Sequence, residues 1–202
     1  MANLLLIGTN NRSKVEMYET ILRDTLITVV SPKQLNLRLT VEESLSDLDH
    51  NSRLKAMMFA QASQLMALSD DMGLFIDELH GEPGPSPRRW GGLFDVSISD
   101  DEWVKFLMGR LKETPLERRE ATLRYSVSIA SPQGDVETFQ EELRGVICET
   151  PPMSYLPGFP LSGCFLYERF QKTLLEMTDQ EKLDLWQGFQ RKILELRPHL
   201  FL

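Results

Sequence analysis

The spacing of apolar and polar residues predicts alternating strands and helices in the first third of the chain. A continuous apolar run at 4–8 is typical of a buried strand, and a helix over 12–23 follows, with apolar residues at helical spacing. A second strand is predicted over 26–30, where β-branched residues dominate. Another amphipathic helix is predicted over 50–66. This order indicates parallel strands joined by helices.

The remaining two thirds of the chain are predicted to contain more strands, a proline-rich loop, one helix before the strand pair 123–129 and 136–147, and one helix after it. Two short strands, 66–69 and 74–79, are predicted on either side of an acidic pair, because Met72-Gly73 interrupts the pattern. Segment 81–87 holds three prolines and two glycines, which excludes regular structure. The other predicted elements are a helix around 103–111, a strand at 123–129, its partner at 136–147, and a final helix after the capping box Thr178-Asp179-Gln180-Glu181.

This pattern predicts an α/β fold with a mixed sheet, and the length of 202 residues predicts a single domain over 1–202. No apolar stretch reaches 18 residues, so no membrane partner is expected. The N-terminal residues lack the basic region of a signal peptide and are predicted to be a strand. Cys148 and Cys164 are too few for a metal cluster and are expected to be reduced, in a cytoplasmic protein.

The net charge of −8 argues against a nucleic-acid partner, because duplex binding needs a basic face that displaces counterions. It does not argue against a mononucleotide. A triphosphate needs only a few focused lysines and a metal ion, whatever the sign of the total charge.

The loop after the first strand is a candidate phosphate site. Thr9, Asn11 and Lys14 offer a hydroxyl, an amide and an ammonium next to the free N–H groups of a helix start. The GxxxxGK[ST] pattern of a P-loop is absent. Taken alone, the segment is also compatible with a plain strand-to-helix loop in which Lys14 faces solvent.

The adjacent carboxylates Asp70 and Asp71 are a candidate site for a divalent cation. Mg²⁺ prefers oxygen ligands and needs only one or two carboxylates plus substrate phosphates. Successive strand residues point to opposite faces, so we expect the strand to break at Met72-Gly73 if both acids serve one site. The alternative is a solvated loop end that carries two acids.

Several segments in order resemble the inosine triphosphate pyrophosphatase family, which hydrolyses deaminated purine nucleoside triphosphates. The similarity runs from Leu4 to about Leu196, and each segment alone is weak, whereas the ordered set is specific. The matched segments are Thr9-x-Asn11-x-x-Lys14, Glu43, Asn51 with Leu54-Lys55-Ala56, Asp70-Asp71-x-Gly73-Leu74, Gly81-x-Pro83-Gly84 with Arg89, Gly158-Phe159, and Lys172-Thr173-x-x-Glu176-Met177.

The resemblance implies a mixed, bent central sheet flanked by helices, with two lobes, a nucleotide cleft between them, and a homodimer. It implies Mg²⁺ as the cofactor, with Glu43 and Asp71 as ligands. It also implies that Asp71 is the metal-associated general base and that Asp70 supports it. Phosphate contacts are implied for Lys14, Lys55 and Lys172, and stacking on the base for Phe159.

Three of these basic residues remain ambiguous from the residues alone. Lys55 lies one step off the apolar stripe of its helix, where a lysine is usually solvated, and Lys172 is equally ambiguous when taken alone. Arg89 matches an arginine in the loop of the family, but Pro87-Arg88-Arg89-Trp90 could equally form a dimer contact.

The chain departs from the family at the positions that would contact the base. Met72 replaces a serine after the acidic pair, and Ser162 replaces the aspartate of a Gly-Phe-Gly-Tyr-Asp-Pro loop. The Ser-His-Arg that reads the purine 6-oxo edge is replaced by Trp186-Gln187-Gly188, where Gln187 can still donate and accept hydrogen bonds. The resemblance leaves open whether Trp186 fills the altered pocket or packs into the core.

The sequence therefore predicts a Mg²⁺-dependent hydrolase that converts a nucleoside triphosphate, ribose or deoxyribose, to a monophosphate and pyrophosphate. Its base recognition is expected to differ from that of the family, because the phosphate-contacting positions are kept and the base-contacting positions are replaced. The alternative is a nucleotide-binding or sensing protein of the same fold with weak or no catalysis. A third interpretation keeps the enzyme and changes its substrate to modified pyrimidine or oxidised purine nucleotides.

Overall fold

The computed structural model describes residues 3–43 and 46–200, the last four of these by their backbone alone. They form seven strands and six helices, besides short 3₁₀ turns. The strands are β1 (Asn3–Ile7), β2 (Ile27–Val30), β3 (Met66–Ile76), β4 (Pro83–Gly84), β5 (Glu120–Ala130), β6 (Val136–Ile147) and β7 (Phe165–Tyr167). The helices are α1 (Arg12–Ile21), α2 (Leu48–Ser63), α3 (Asp100–Arg110), α4 (Leu161–Cys164), α5 (Asp179–Leu185) and α6 (Gln187–Leu200).

All seven strands belong to one mixed sheet, whose order is β2-β1-β3-β5-β6-β7, with β4 paired to β3. Strand β1 is parallel to both β2 and β3, and helices α1 and α2 supply the connections, as the alternating pattern predicts. The β3–β4 and β6–β7 pairs are antiparallel. The predicted α/β fold with a mixed, helix-flanked sheet is confirmed.

The chain separates into two compact units. The first contains residues up to Asp71, 125–141 and the chain from 183 onward, and the second contains 72–124 and 142–182. The expectation of one functional domain over 1–202 stays a prediction. None of the helices within 3–43 and 46–200 has the length and apolar character needed to cross a membrane.

In the first unit, α2 begins where the Asp47 carboxylate accepts a hydrogen bond from the His50 N–H at 2.9 Å. Its buried face, which includes Ala56, Phe59 and Ala60, packs in the same cluster as Leu6 of β1. Burial of this face fixes α2 against the sheet that carries the candidate site.

The second unit has an aromatic core around Trp90, Trp103 and Phe106. The Trp90 and Phe106 rings meet edge to face with centroids 4.8 Å apart. Arg119 is almost fully buried and donates to three backbone carbonyls, those of Thr114, Cys148 and Leu111, at 2.6 to 2.7 Å. These bonds satisfy the guanidinium in an interior position.

The predicted break in the strand that carries the acidic pair is wrong. Strand β3 continues through Asp70 and Asp71 to Ile76. The physical reason is β4, whose Gly84 and Pro83 pair with Leu74 and Phe75. The same short strand lies within the proline-rich segment that was predicted to be wholly irregular.

The predicted single C-terminal helix is also wrong, because the chain forms two helices with Trp186 between them. The capping box itself is present. The Thr178 N–H donates to Glu181 Oε2 at 2.8 Å, and the Glu181 N–H donates to Thr178 Oγ1 at 3.2 Å. Trp186 is 2% exposed and packs edge to face against Phe189 and Tyr125, which places it in the core of the first unit.

Candidate active site

The loop between β1 and α1 is organised as a helix start. The Asn11 side chain caps α1 by accepting a hydrogen bond from the Ser13 N–H at 2.9 Å. The Thr9 hydroxyl accepts from the Asn11 N–H at 3.1 Å. These two predicted phosphate-contacting residues thus fix the loop that precedes the first turn of α1, and the site lies where an anion is favoured.

The plain-loop alternative placed the Lys14 side chain in solvent, but the structure pairs it with Asp70. Its ammonium lies 2.7 Å from Asp70 Oδ2, and the Asp70 side chain is only 1% exposed. Burial works to lower the pKa of Lys14, but the charges of Asp70, Asp71 and Glu43 outweigh it, so the pKa is raised. Lys14 is therefore a protonated cation that faces three carboxylates.

Asp71 is held by helix α2. Asn51 donates to Asp71 Oδ2 at 2.7 Å, and the Lys55 ammonium lies 3.6 Å from Asp71 Oδ1. Burial raises the pKa of the Asp71 carboxyl, and Glu43 adds to this, whereas Lys55, Lys14 and the Asn51 hydrogen bond oppose it. The net pKa is above that of an ordinary aspartate, which suits a carboxylate that accepts a proton.

The two acids occupy successive positions of an unbroken strand and are met by different helices. Asp70 pairs with Lys14 of α1, and Asp71 contacts Asn51 and Lys55 of α2. This arrangement corrects the expectation that a strand break is required. Two helices, rather than a distorted strand, bring lysines to both carboxylates.

The Lys55 ammonium lies beside both Glu43 and Asp71. The Lys55 ammonium lies 2.5 Å from Glu43 Oε1 and 3.6 Å from Asp71 Oδ1, so one positive charge is shared by both carboxylates. The described residues contain no cluster of three or more histidine, cysteine, aspartate or glutamate side chains that could bind a metal. Two carboxylates are the number that Mg²⁺ uses when substrate phosphates and water complete its shell.

The predicted base-stacking residue lies in the second unit, in a tight turn. Phe159 is partly exposed, and its N–H donates to the Leu156 carbonyl at 2.9 Å. Ser162 is fully buried; its hydroxyl donates to the Phe159 carbonyl at 2.7 Å and accepts from the Leu156 N–H at 2.8 Å. Ser162 thus shapes the turn that presents Phe159, and its role in ligand binding stays a prediction.

The structure gives the positions of the other residues that are predicted to contact the nucleotide, and their roles stay predictions. Lys172, in the second unit, pairs with Glu181 at 2.6 Å. Arg89 precedes Trp90, and its carbonyl accepts from the Phe94 N–H at 2.9 Å. Met72 is a partly exposed residue of β3. Gln187, in the first unit, is exposed at the start of α6.

Sequence reasoning gave no role to two residues beside the acids. Asn51 lies one helical turn before Lys55, and this i, i+4 spacing is the signal that both face Asp71. Tyr18 lies one turn after Lys14 and is fully buried. Burial and the nearby Asp70 charge raise the pKa of Tyr18. The Tyr18 hydroxyl and Asp70 Oδ1 both lack a hydrogen-bond partner among the described residues.

Comparison with known protein families matches residues 5–186 to the Ham1 family. The chain is similar to the dITP/XTP pyrophosphatase of Geobacter sulfurreducens, with 33% identity over 178 residues, covering 88% of this chain and 87% of the relative. It is 29% identical over 177 residues to the dITP/XTP pyrophosphatase of Bacillus subtilis, with the same coverage of each chain.

Solved structures show the same fold. A HAM1 protein from Coxiella burnetii matches with a TM-score of 0.73 and 21% identity, covering 96% of this chain and 100% of the other. The Ham1 protein of Staphylococcus aureus matches with a TM-score of 0.69 and 23% identity, covering 94% and 97%. The family match over most of the chain agrees with the ordered motifs and the lysine–carboxylate cluster, and the chain belongs to the Ham1 family, the inosine triphosphate pyrophosphatase family that its motifs resemble.

Proposed function

We propose that this protein hydrolyses a nucleoside triphosphate to a nucleoside monophosphate and pyrophosphate. The observation that carries the proposal is the partly buried cluster in which the Lys14 ammonium pairs with Asp70 and the Lys55 ammonium lies beside Glu43 and Asp71. Similarity to enzymes named dITP/XTP pyrophosphatase over 88% of the chain supports the same reaction class. A cluster of this kind combines charge neutralisation with a proton acceptor, as hydrolysis of a phosphoanhydride requires.

In this reaction, Asp71 accepts the proton of the water that attacks the α-phosphorus, and pyrophosphate leaves with the electron pair of the broken P–O bond. Asn51 holds Asp71 Oδ2 so that the carboxylate keeps one orientation. Lys14 and Lys55 neutralise phosphate charge at the site. In the second unit, we propose that Lys172 and Arg89 contact phosphates and that Phe159 stacks on the base.

Magnesium is the proposed cofactor, with Glu43 and Asp71 as its protein ligands. The shared position of the Lys55 ammonium supports this assignment, because it lies within reach of both carboxylates. When bound, Mg²⁺ would neutralise the phosphate charge that develops during hydrolysis.

We further propose that base recognition differs from that of the relatives. Trp186 is committed to the core of the first unit and cannot hydrogen-bond a base edge while packed there. A Cβ at Gly188 would lie 2.7 Å from Glu141 Oε1, so a side chain there would require the Glu141 carboxylate to shift. Gln187, Met72 and Ser162 remain the proposed base-contacting residues, and base choice is expected to be relaxed or redirected relative to a site that reads the purine 6-oxo edge.

A catalytically weak nucleotide sensor is the second candidate, and the replaced base-reading residues favour it. The homodimer and the cytoplasmic location are further proposals.

The experiment that tests the proposed function is pyrophosphate release with and without Mg²⁺, across ITP, XTP, dITP, the standard NTPs and oxidised or modified ones. Mg²⁺-dependent turnover of any member supports the enzyme. Binding by calorimetry without pyrophosphate release would support the sensor instead.

A further inference from the structure

Four buried or half-buried hydroxyl groups connect helix α2 to strands β5 and β6 in the first unit. The Ser52 hydroxyl lies 2.9 Å from Ser126 Oγ and 2.8 Å from Ser128 Oγ, and Ser128 Oγ lies 2.8 Å from Thr138 Oγ1. The three serines are at most 1% exposed. Polar groups this deeply buried are stable only when each is satisfied.

The direction of the hydrogen bonds follows from the number of protons. Ser52 donates its single hydroxyl proton to the Asp49 carbonyl at 3.1 Å, so Ser126 and Ser128 must donate to Ser52. Because Ser128 has then used its proton, it accepts from Thr138.

At the outer end of this chain, Thr138 Oγ1 accepts from Arg53 Nη1 at 3.1 Å. The chain therefore runs in one direction, from Arg53 through Thr138, Ser128 and Ser52 to the Asp49 carbonyl. Every hydroxyl oxygen along it has a donor, and such a network strengthens each of its bonds.

The network is attached to the turn of α2 that serves the acidic pair. Ser52 follows Asn51 directly and precedes Lys55 by one turn, and these two neighbours contact Asp71 at 2.7 and 3.6 Å. Beyond Ser52 the buried face of the same helix is apolar, with Ala56, Phe59 and Ala60. Apolar packing alone does not fix the sliding and rotation of a helix as strictly as directional hydrogen bonds do.

We infer that Ser52 is a positioning residue, which through its hydroxyl network fixes the first turns of α2 and thereby holds Asn51 against Asp71. The role of Asp71 in this inference rests on the proposed function. The Asn51–Asp71 contact itself does not, so it can be measured whether or not the protein is an enzyme.

The experiment compares Ser52→Ala with Ser63→Ala. Ser63 lies at the other end of α2; its hydroxyl donates to carbonyls of its own helix, those of Phe59 and Ala60, and accepts from the Leu65 N–H just beyond the helix. Both variants lose one hydroxyl of the same helix, so a general loss of helix stability affects both. We expect Ser52→Ala to lower kcat about five- to tenfold with KM within about twofold, and Ser63→Ala to leave kcat unchanged.

A double-mutant cycle with Asn51→Ala separates positioning from structural support. If Ser52 acts through Asn51, the double variant is no slower than Asn51→Ala alone. Multiplicative losses of kcat, with matched unfolding temperatures, would overturn the inference.

An activity-independent measurement distinguishes failure of this inference from failure of the proposed function. The Asn51 side-chain NH₂ protons, assigned by their loss in Asn51→Ala, report the bond to Asp71 by NMR. We expect their chemical shifts to move towards those of a solvated amide in Ser52→Ala and to stay unchanged in Ser63→Ala. Unchanged shifts in both variants would overturn the positioning role, even if the wild-type protein releases pyrophosphate.

Discussion

Two regions of the molecule carry predicted ligand-binding residues, and they use their polar groups differently. In the first unit, Lys14 and Lys55 come from separate helices and pair with the carboxylates of Asp70 and Asp71 on β3. In the second unit, the Ser162 hydroxyl bonds to backbone groups of the loop that carries Phe159. The charged cluster therefore depends on pairing between elements distant in sequence, whereas the Ser162 hydroxyl shapes a local turn.

The same contrast is seen in the acids. Burial raises the pKa of Asp71 in the first unit. In the second unit, the hydrogen bond from Lys172 and the Thr178 N–H lower the pKa of Glu181 to about 2. A raised pKa marks a carboxylate kept in an environment that disfavours its charge, which is common at functional sites. A lowered pKa is the ordinary result when a carboxylate accepts hydrogen bonds from a lysine and from a capping N–H.

The largest expected effect is that of Asp71→Asn. We expect turnover to fall at least about 10³-fold, because the variant lacks the proton acceptor. The folded-state pKa of Asp71 is above its unfolded value, so ionisation of Asp71 opposes folding at neutral pH and does not do so below the unfolded pKa. The unfolding temperature of Asp71→Asn at pH 7 should therefore equal or exceed that of the wild type. The control is Glu181→Gln, which should keep its turnover.

The next effect concerns the Lys14–Asp70 pair. In Lys14→Met, the buried Asp70 carboxylate loses its partner, and we expect unfolding free energy to fall by about 3 kcal/mol in urea denaturation. Lys172→Met removes a lysine whose side chain is 40% exposed and should leave the urea midpoint nearly unchanged. Equal urea midpoints for Lys14→Met and Lys172→Met would contradict the difference in stability that is expected between the two regions.

A smaller effect is expected in the loop. Ser162→Ala leaves the partly buried Leu156 N–H without its acceptor, which should destabilise the protein by about 1 kcal/mol. If the loop presents Phe159 to a base, KM for the nucleotide should rise while kcat changes little. Thermal unfolding and steady-state kinetics on the same preparation check both parts. An unaltered KM together with the expected loss of stability would limit Ser162 to a structural role.

The smallest expected effect concerns the pH at which the carboxyl groups of Asp71 and Glu181 titrate. In metal-free protein, we expect carboxyl ¹³C NMR to show Asp71 titrating above an ordinary aspartate and Glu181 titrating near 2. Because burial raises the pKa of Asp71, its carboxylate begins to take up a proton at a higher pH than the carboxylate of an exposed aspartate. Titration of Asp71 below the ordinary range would contradict the burial of its carboxylate.

Much of the fold could be predicted from sequence because its elements depend on local patterns. Helical spacing located α1 and α2, alternation located β5, and the turn that follows it located β6 as its partner. The continuity of β3 could not be predicted, since it depends on pairing with the two-residue strand β4. Helix α5 ends at Leu185, and Trp186 packs in the core against Tyr125 and Phe189. Tyr125 is distant in sequence, and Phe189 lies on the same predicted helix, so neither contact could be read from the local pattern.

For the site, the ordered motifs identified the residue types but not their pairings. Lys14 and Asp70 are 56 residues apart, and only the packing of α1 against β3 makes them partners. Asn51 could have been assigned a role from its spacing to Lys55. The hydroxyl chain from Thr138 to Ser52 links residues 86 positions apart at its ends and has no local sequence signal.

The most direct test of the central claim is pyrophosphate release by the wild type and by Asp71→Asn, measured with and without Mg²⁺ over the same nucleotide panel. The proposed function predicts Mg²⁺-dependent release by the wild type, with at least one nucleotide turned over rapidly, and none by Asp71→Asn although the variant remains folded. Equal release by both proteins, or none by the wild type with nucleotide binding intact, would contradict it.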